Sequence, residues 1–475
     1  MVKYDSIIIG AGQAGIPLAG KLAKAGWKTA LIEKKWIGGT CVNVGCTPTK
    51  TLIASGRVAY LVKRSADFGI HTTGFSVNIE EVIRRKNEHV VSARESLTKK
   101  LLKTPNLDVL FGTAAFTGHK EIAVNKEDGS ESTLTAETIF INAGARPRVP
   151  SIPGLSDIPF LTSSTIMDLL VIPSHLVMIG GGYIALEFGQ LYRRLGSEVT
   201  ILETGQRFLP HEDADIAGEI KKILEEDGIR IFTGATVGRV SRQNNEITLD
   251  VEFAAPEAIA PAADAAAEVT TKHSFTATHV LVATGRTPDT EALNPAATGI
   301  HLDKHGFISV DGRLETNVPG IYALGDVKGG PQFTHISYND HLIVYNNLVE
   351  KTHHTIEGRW PIYTLFTDPE LGRIGLTETE AREKGLNIKV ATMPAASIAR
   401  AWENSEMRGL LKAIVDADTK TILGAAILSS EGGELMSVLQ MAMMGHITYD
   451  VIRDTVFAHP TFAESLNNLF MRLDR

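Results

Sequence analysis

The chain has 475 residues, 43 % of them hydrophobic and 21 % charged, which is the balance of a globular protein too long for one ordinary domain. Its 47 basic and 55 acidic residues leave a net charge of −8, which argues against a nucleic-acid or anionic-membrane partner, since either would want a basic face. No apolar run reaches the length of a membrane span, and the short run at the start enters a glycine turn rather than a cleavage site, so a cytoplasmic protein is expected.

Residues 4–9 form a β-branched run expected as a buried strand, ending in Gly10-Ala11-Gly12-Gln13-Ala14-Gly15. An amphipathic helix is expected to about Lys24, then a strand at 28–32 closed by Glu33; together these read as one βαβ nucleotide-binding unit. Next comes GGTCVNVGCTPTK, residues 38–50, which holds both cysteines of the chain, Cys41 and Cys46. Residues 52–102 are helical in pattern, and 109–116 and 122–124 are strand-like. The βαβ pattern then recurs as a strand at 175–179, a turn at 180–185, a helix at 186–195 and a strand at 199–202 closed by Glu203. Two such units imply two dinucleotides in one chain. Two further segments echo each other: 138–142 leads into Ala143-Gly144-Ala145-Arg146-Pro147, and 280–283 into Thr284-Gly285-Arg286-Thr287-Pro288. Each reads as a strand ending in a Gly-x-x-Pro turn, with a domain edge nearby. Residues 253–268, rich in Ala and Pro, read as a surface insertion in a strand connection. From about Pro361 a separate α+β domain is expected, ending in a long terminal helix.

The glycine turns have a physical rationale. Gly10 permits the tight turn, Gly12 lets backbone approach a pyrophosphate, Gly15 lets helix and strand pack closely, and the helix N-terminus offers free N–H groups to phosphate. Glu33 can accept hydrogen bonds from both ribose hydroxyls. In the second turn, Gly180, Gly182, Tyr183 and Ile184 lead to Ala185 where the first has glycine. Glu203 there favours NAD(H), because a carboxylate repels the 2′-phosphate of NADP(H), while the neighbouring Arg207 leaves NADP(H) open. Pro48 is tolerated only in the first turn of a helix, so the thiols lie around a helix N-terminus, where a thiolate is stabilised below the free value of about 8.5. A static disulfide and a zinc site are the minor alternatives; zinc wants closer cysteine spacing and more ligands. Asp326, after Gly325, is placed to bind a sugar or ribitol hydroxyl, or else ends an ordinary turn. His459, with Glu464 to orient it, has the makings of an acid and base for thiol exchange. His211 sits in an acidic stretch that reads as a solvated helix start.

Together these residues resemble the class I flavin-dependent pyridine nucleotide–disulfide oxidoreductases, which include glutathione reductase, dihydrolipoamide dehydrogenase and mercuric reductase. The resemblance runs over essentially the whole chain, in order: the Gly10 turn, GGTCVNVGC, the Gly144 turn, the Gly180 turn, the Gly285 turn, Gly325-Asp326 and His459-Pro460-Thr461. It implies an α/β fold with two Rossmann-like dinucleotide-binding domains and a C-terminal α+β dimerisation domain. The divisions expected are 1–148 and 280–355 for FAD, 149–279 for NAD(P) and 356–475 for dimerisation. Gly10, Gly12, Gly15, Glu33, Gly39, Thr40, Lys50, Gly144, Gly325 and Asp326 are expected at FAD. Gly180, Gly182, Tyr183, Ile184, Glu203 and Gly285 are expected at the nicotinamide dinucleotide, with Tyr183 as the gate of its pocket. Lys50 and Glu187 are expected to pair beside the flavin, Cys46 to lie against it, and Cys41 to meet the substrate. His459, oriented by Glu464, is expected to reach the other subunit's active site, so the resemblance implies an obligate homodimer.

The implied activity is NAD(P)H-dependent reduction through FAD and the Cys41–Cys46 disulfide of a disulfide or thiol-reactive acceptor. The alternatives are a mercuric or cupric ion reductase, a dihydrolipoamide dehydrogenase, and a flavin-bound redox sensor that cycles the thiols without turnover. Mercuric reductases carry a further cysteine pair near the C-terminus, and this chain has no third cysteine. Residues 329–344, GGPQFTHISYNDHLIV, look more like the bacterial reactive-chlorine-resistance branch.

Overall fold

The computed structural model describes residues 2–254 and 271–474. Its residues fall into two compact units. The first comprises Met1–Leu52, Glu80–Arg148 and Gly285–Arg359; the second comprises Ile53–Ile79, Val149–Thr284 and Trp360–Arg475.

The first unit is built on a seven-stranded sheet in the order Leu107–Phe111, Thr29–Glu33, Val2–Ile9, Glu131–Ile141, Glu121–Asn125 and Thr113–Gly118, with Ile321–Ala323 also pairing Glu131–Ile141. Val2–Ile9 lies between two parallel partners, with Ile9 opposite Ile32 on one side and Ile141 on the other. A strand covered on both faces is apolar without alternation, and Ile7, Ile8 and Ile9 are all buried. Helix Gly15–Lys24 buries Leu18, Ala19, Leu22 and Ala23 and places Lys21 and Lys24 in its last turn, where the macrodipole favours cations. These ladders bring the C-terminal ends of Val2–Ile9, Thr29–Glu33 and Glu131–Ile141 to one edge, where the first glycine turn sits.

The second unit repeats the plan and adds to it. Its parallel sheet runs Ile229–Phe232, Glu198–Leu202, His175–Ile179, His279–Val282 and Leu161–Thr162. A three-stranded antiparallel sheet, Ala235–Gln243, Glu246–Phe253 and Thr271–Ala277, packs beside it. An antiparallel five-stranded sheet then runs Ile362–Leu365, Glu370–Gly375, Ile422–Ser429, Leu410–Asp416 and Ile388–Pro394. Helix Gly432–Met444 lies so close to this sheet that a Cβ on Gly372 would sit 2.2 Å from the carbonyl oxygen of Gly432.

Several expectations need correction. The helical pattern over 52–102 breaks into Cys46–Lys63, a 3-10 turn Ser65–Phe68 and Ile79–Leu102, with Gly69 in a left-handed conformation ending the turn. The strand expected at 109–116 divides at Gly112, whose amide bonds to the Glu33 carbonyl. The two echoing Gly-x-x-Pro segments are not turns: Ala145–Pro147 and Arg286–Pro288 pair with each other as an antiparallel ribbon. No long terminal helix forms among the described residues; the end of the chain is built of Gly432–Met444, Tyr449–Asp454, Ser465–Phe470 and a last 3-10 turn. Gly445 stops the first of these, and a cis His459–Pro460 bond lies before the third. From residue 255 on, the expected 253–268 insertion lies outside the described residues; it joins strands whose ends, Phe253 and Thr271, are partners in register.

The acidic stretch after His211 is the other correction. Glu212 and Asp213 are 2 % and 3 % exposed, not solvated. Lys412, buried on strand Leu410–Asp416, reaches Asp213 at 3.3 Å, Asp215 at 2.9 Å and Glu378 at 2.8 Å. Three carboxylates around one buried ammonium tolerate its loss poorly. Lys412→Met is expected to cost about 3 kcal/mol of stability, read as a lowered denaturation midpoint; an unchanged midpoint would contradict that reading.

Candidate active site

The two glycine turns are near copies at the level of single atoms. Gly10 and Gly180 both have φ of 101°. The amide of Gly10 donates to Ile32 O, and that of Gly180 to Leu202 O, each at 2.8 Å. A Cβ on Gly10 would sit 2.2 Å from Asn142 O, and one on Gly180 would sit 2.5 Å from Ala283 O, so only glycine fits either place. Glu33 accepts from the amides of Ala11 and Lys35, each at 2.8 Å. Glu203 accepts from Gly181 at 2.6 Å and Gly205 at 2.7 Å. Each carboxylate is thus fixed against its turn by two backbone donors, and each oxygen keeps lone-pair capacity for a hydroxyl.

At the first turn, the amides of Gly12, Gln13 and Ala14 have no partner among the described residues; at the second, those of Gly182, Tyr183 and Ile184 have none. Grouped N–H donors at a helix N-terminus beside a fixed carboxylate suit a phosphate and a ribose, so the residues fit a dinucleotide at each turn. Helix Tyr183–Leu195 begins earlier than expected, with Gly182 as its N-cap, so Tyr183 and Ile184 are helical rather than part of the turn.

The glycines of the first turn serve a purpose beyond ligand approach. Gly15 N donates to Asn142 Oδ1 at 3.0 Å, and Asn142 Nδ2 donates to Leu324 O at 2.9 Å. A Cβ on Gly12 would lie 2.8 Å from Asn142 Oδ1, and one on Gly325 would lie 2.9 Å from its Nδ2. Asn142 therefore ties the first turn to the Gly325–Lys328 turn that carries Asp326. Sequence reading missed this role; the only signal was one polar residue ending an apolar strand. Gly144 and Gly285 flank the ribbon crosswise: Asp289 N donates to Gly144 O at 3.0 Å, and Arg148 N to Gly285 O at 2.9 Å. Asp326 lies 3.2 Å from Arg286, and burial pushes its carboxyl up against the pull of that guanidinium.

The thiol segment is docked on the same turn. Gly38 N donates to Ala11 O at 2.9 Å, Gln13 Nε2 donates to Gly38 O at 3.1 Å, and a Cβ on Gly39 would sit 2.7 Å from Gly12 Cα. Thr40 and Cys41 lie on the short helix Gly39–Val44, and Cys46 opens Cys46–Lys63, with Pro48 in its first turn as expected. The pair is in the dithiol state, with Cys41 half-buried and Cys46 exposed. The expected lowering of thiol pKa does not hold for Cys41. The hydrogen bond it shares with Cys46, and then its burial, push it up. The Thr334 hydroxyl lies 3.2 Å from Cys46 Sγ, a contact sequence reading did not foresee.

Lys50 lies on helix Cys46–Lys63 in the first unit. Glu187, 7 % exposed on Tyr183–Leu195 in the second, accepts from the amide of Phe366 at 3.0 Å. His459 Nδ1 stands 3.0 Å from both carboxylate oxygens of Glu464, as expected, and the imidazole is exposed.

Residues 4–340 match the family described as pyridine nucleotide-disulphide oxidoreductase, and 362–470 match the dimerisation domain of the same family. The chain belongs to the pyridine nucleotide–disulphide oxidoreductases. It is 40 % identical over 474 residues to the probable pyridine nucleotide-disulfide oxidoreductase RclA of Escherichia coli, covering 99 % of each chain. It is 32 % identical to a mercuric reductase of Staphylococcus aureus, covering 99 % of this chain and 83 % of that one. A solved structure, the Cu(II) complex of the HOCl-induced flavoprotein disulfide reductase RclA from Escherichia coli, superposes with a TM-score of 0.88 at 38 % identity, covering 99 % of each chain. The chain is thus an FAD-dependent, pyridine-nucleotide-linked disulfide oxidoreductase with two Rossmann-like domains and its family's dimerisation domain. Among the described residues, no helix is long and apolar enough to cross a membrane.

A hydroxyl that donates to a thiolate favours the charged form. Thr334→Val is expected to raise the first ionisation of the reduced pair by about one pH unit, followed by ultraviolet absorbance of the thiolate. An unmoved titration would mean that Thr334 does not serve Cys46.

Proposed function

We propose that this oxidoreductase uses NADH and passes an electron pair through Cys46 and Cys41 to a disulfide or thiol-reactive acceptor. In this reading 1–148 and 280–355 hold FAD, 149–279 hold NADH, and 356–475 join two copies in a cytoplasmic homodimer. FAD, when bound at the first turn, supplies hydride acceptance from the nicotinamide and electron delivery to a disulfide. Gly10, Gly12, Gly15, Glu33, Gly39, Thr40, Gly144, Gly325 and Asp326 surround it, and Lys50 with Glu187 forms the charged pair beside it. Gly180, Gly182, Ile184, Glu203 and Gly285 take the second dinucleotide, with Tyr183 as its gate.

The observation that carries the thiol assignment is the asymmetry of the pair. Cys41 is held protonated by its neighbour, and Thr334 stands at Cys46. The two thiols titrate as a unit, so the first negative charge rests on Cys46, the sulfur assigned to the flavin. Cys41, the exchange thiol, then needs a base, and His459 with Glu464 at Nδ1 presents Nε2 for that proton. The Cys41 thiolate attacks one sulfur of the acceptor disulfide and expels the other as a thiol. Cys46 then attacks Cys41 in the mixed disulfide, releasing the second thiol and restoring the Cys41–Cys46 bond.

The preference for NADH rests on Glu203, whose carboxylate is fixed by Gly181 and Gly205 where a 2′-phosphate would lie. NADH is expected to be preferred over NADPH by about tenfold or more in kcat/KM, and Glu203→Ala to narrow the ratio. Equal use of both by the unaltered protein would contradict the assignment. For the acceptor, the test is NADH turnover with lipoamide, oxidised glutathione, Hg²⁺, Cu²⁺ and oxygen, with Cys41→Ser alongside. Disulfide turnover that vanishes in Cys41→Ser is expected. Turnover on metal ions alone would replace the disulfide by a metal-ion acceptor, a reading favoured only by the Cu(II) complex of the RclA relative.

A further inference from the structure

Glu212 is a buried carboxylate with two tyrosines on one oxygen. Tyr183 Oη donates to its Oε1 at 3.4 Å, and Tyr363 Oη donates to the same Oε1 in a short hydrogen bond. The two rings lie 5.2 Å apart at 35°. Oε2 faces Arg373 Nε at 3.8 Å, and the Nη1 and Nη2 of this 2 % exposed arginine have no partner among the described residues. The carboxylate cannot follow a moving tyrosine. Next to it, Asp213 accepts from the amides of Glu378 at 3.0 Å and Thr379 at 3.2 Å, and Lys412 binds Asp213 and Asp215.

We propose that Glu212 is a positioning residue for Tyr183, a latch whose hold is set by competition with Tyr363. The proposal rests on reading Tyr183 as the nicotinamide gate. Tyr363 has the stronger share of Oε1, so Tyr183 is left with a bond at the weak end of the range. When Tyr183 swings away, the buried charge keeps Tyr363 and Arg373 and is not stranded, so the swing costs little. Deleting the competitor leaves Oε1 to Tyr183 alone and tightens the latch. Deleting the Tyr183 hydroxyl, or the negative charge of Glu212, loosens it.

A purely structural cluster would not give effects of opposite sign. The test is stopped-flow flavin reduction by subsaturating NADH in the holoenzyme, with disulfide reduction by the prereduced enzyme as the second readout. Tyr363→Phe is expected to slow the NADH half-reaction about threefold to tenfold, the range of one hydrogen bond. Tyr183→Phe and Glu212→Gln are expected to move it the other way, with the disulfide half-reaction unchanged in all three. Should Glu212→Gln fail to fold, the two isosteric tyrosine variants decide alone. Shifts of the same sign, equal loss in both half-reactions, or no shift would overturn the latch. If neither NADH nor NADPH reduces the flavin of the unaltered protein, the reading of the second turn falls, and the latch with it.

Discussion

The site depends on how closely four stretches of backbone approach one another at the first glycine turn. Gly10 meets the carbonyl of Asn142, Gly12 meets the Asn142 side chain, Gly39 meets Gly12, and Gly15 meets the Gly10 carbonyl. A methyl group at any of these positions would force apart elements that must touch. The thiol helices are not attached to the nucleotide turn by a side-chain interaction that a surface change loosens; main chain rests on main chain, held by Gly38 N on Ala11 O. A redox pair has to keep a fixed distance from its cofactor, and direct backbone packing is the stiffest way to fix it.

The second unit uses the same turn for a different end. Its glutamate is held by equivalent backbone donors and its strands end in the same register, but no thiol segment docks there. Instead a helix begins at Tyr183, and the carboxylate beneath that tyrosine is shared with the antiparallel sheet through Tyr363 and Arg373. One local solution to binding a dinucleotide thus supports two accessory devices. A dithiol beside Thr334 passes electrons on, and a tyrosine beside Glu212 regulates their entry.

What the sequence makes legible here is what sterics forbids. Gly10, Gly15, Gly180 and the acids Glu33 and Glu203 stand at spacings that follow from a strand, a turn and a helix, and the cysteine pair is conspicuous because the chain has no other. Residues whose purpose depends on a distant partner were not legible. Asn142 reaches Gly15, Thr334 reaches Cys46, and Tyr363 reaches Glu212, all across more than a hundred residues. The run after His211 looks solvated because local composition contains no trace of Lys412. The two Gly-x-x-Pro segments were recognised as alike, but their pairing is a tertiary fact that neither segment states. The direction of the Cys41 shift was missed for a similar reason: a helix N-terminus lowers a thiol pKa, but a neighbouring thiol that shares a proton outweighs it.

The central claim is that the docked cysteine pair is a second redox centre in series with a flavin. An anaerobic reductive titration of the purified holoenzyme tests it most directly. The account predicts that each protomer takes up two electron pairs, one for the flavin and one for the disulfide, with a thiolate-to-flavin charge-transfer band at the midpoint, and that Cys46→Ser takes up only one without the band. Uptake of a single pair by the unaltered enzyme, or a titration that Cys46→Ser leaves unchanged, would contradict it.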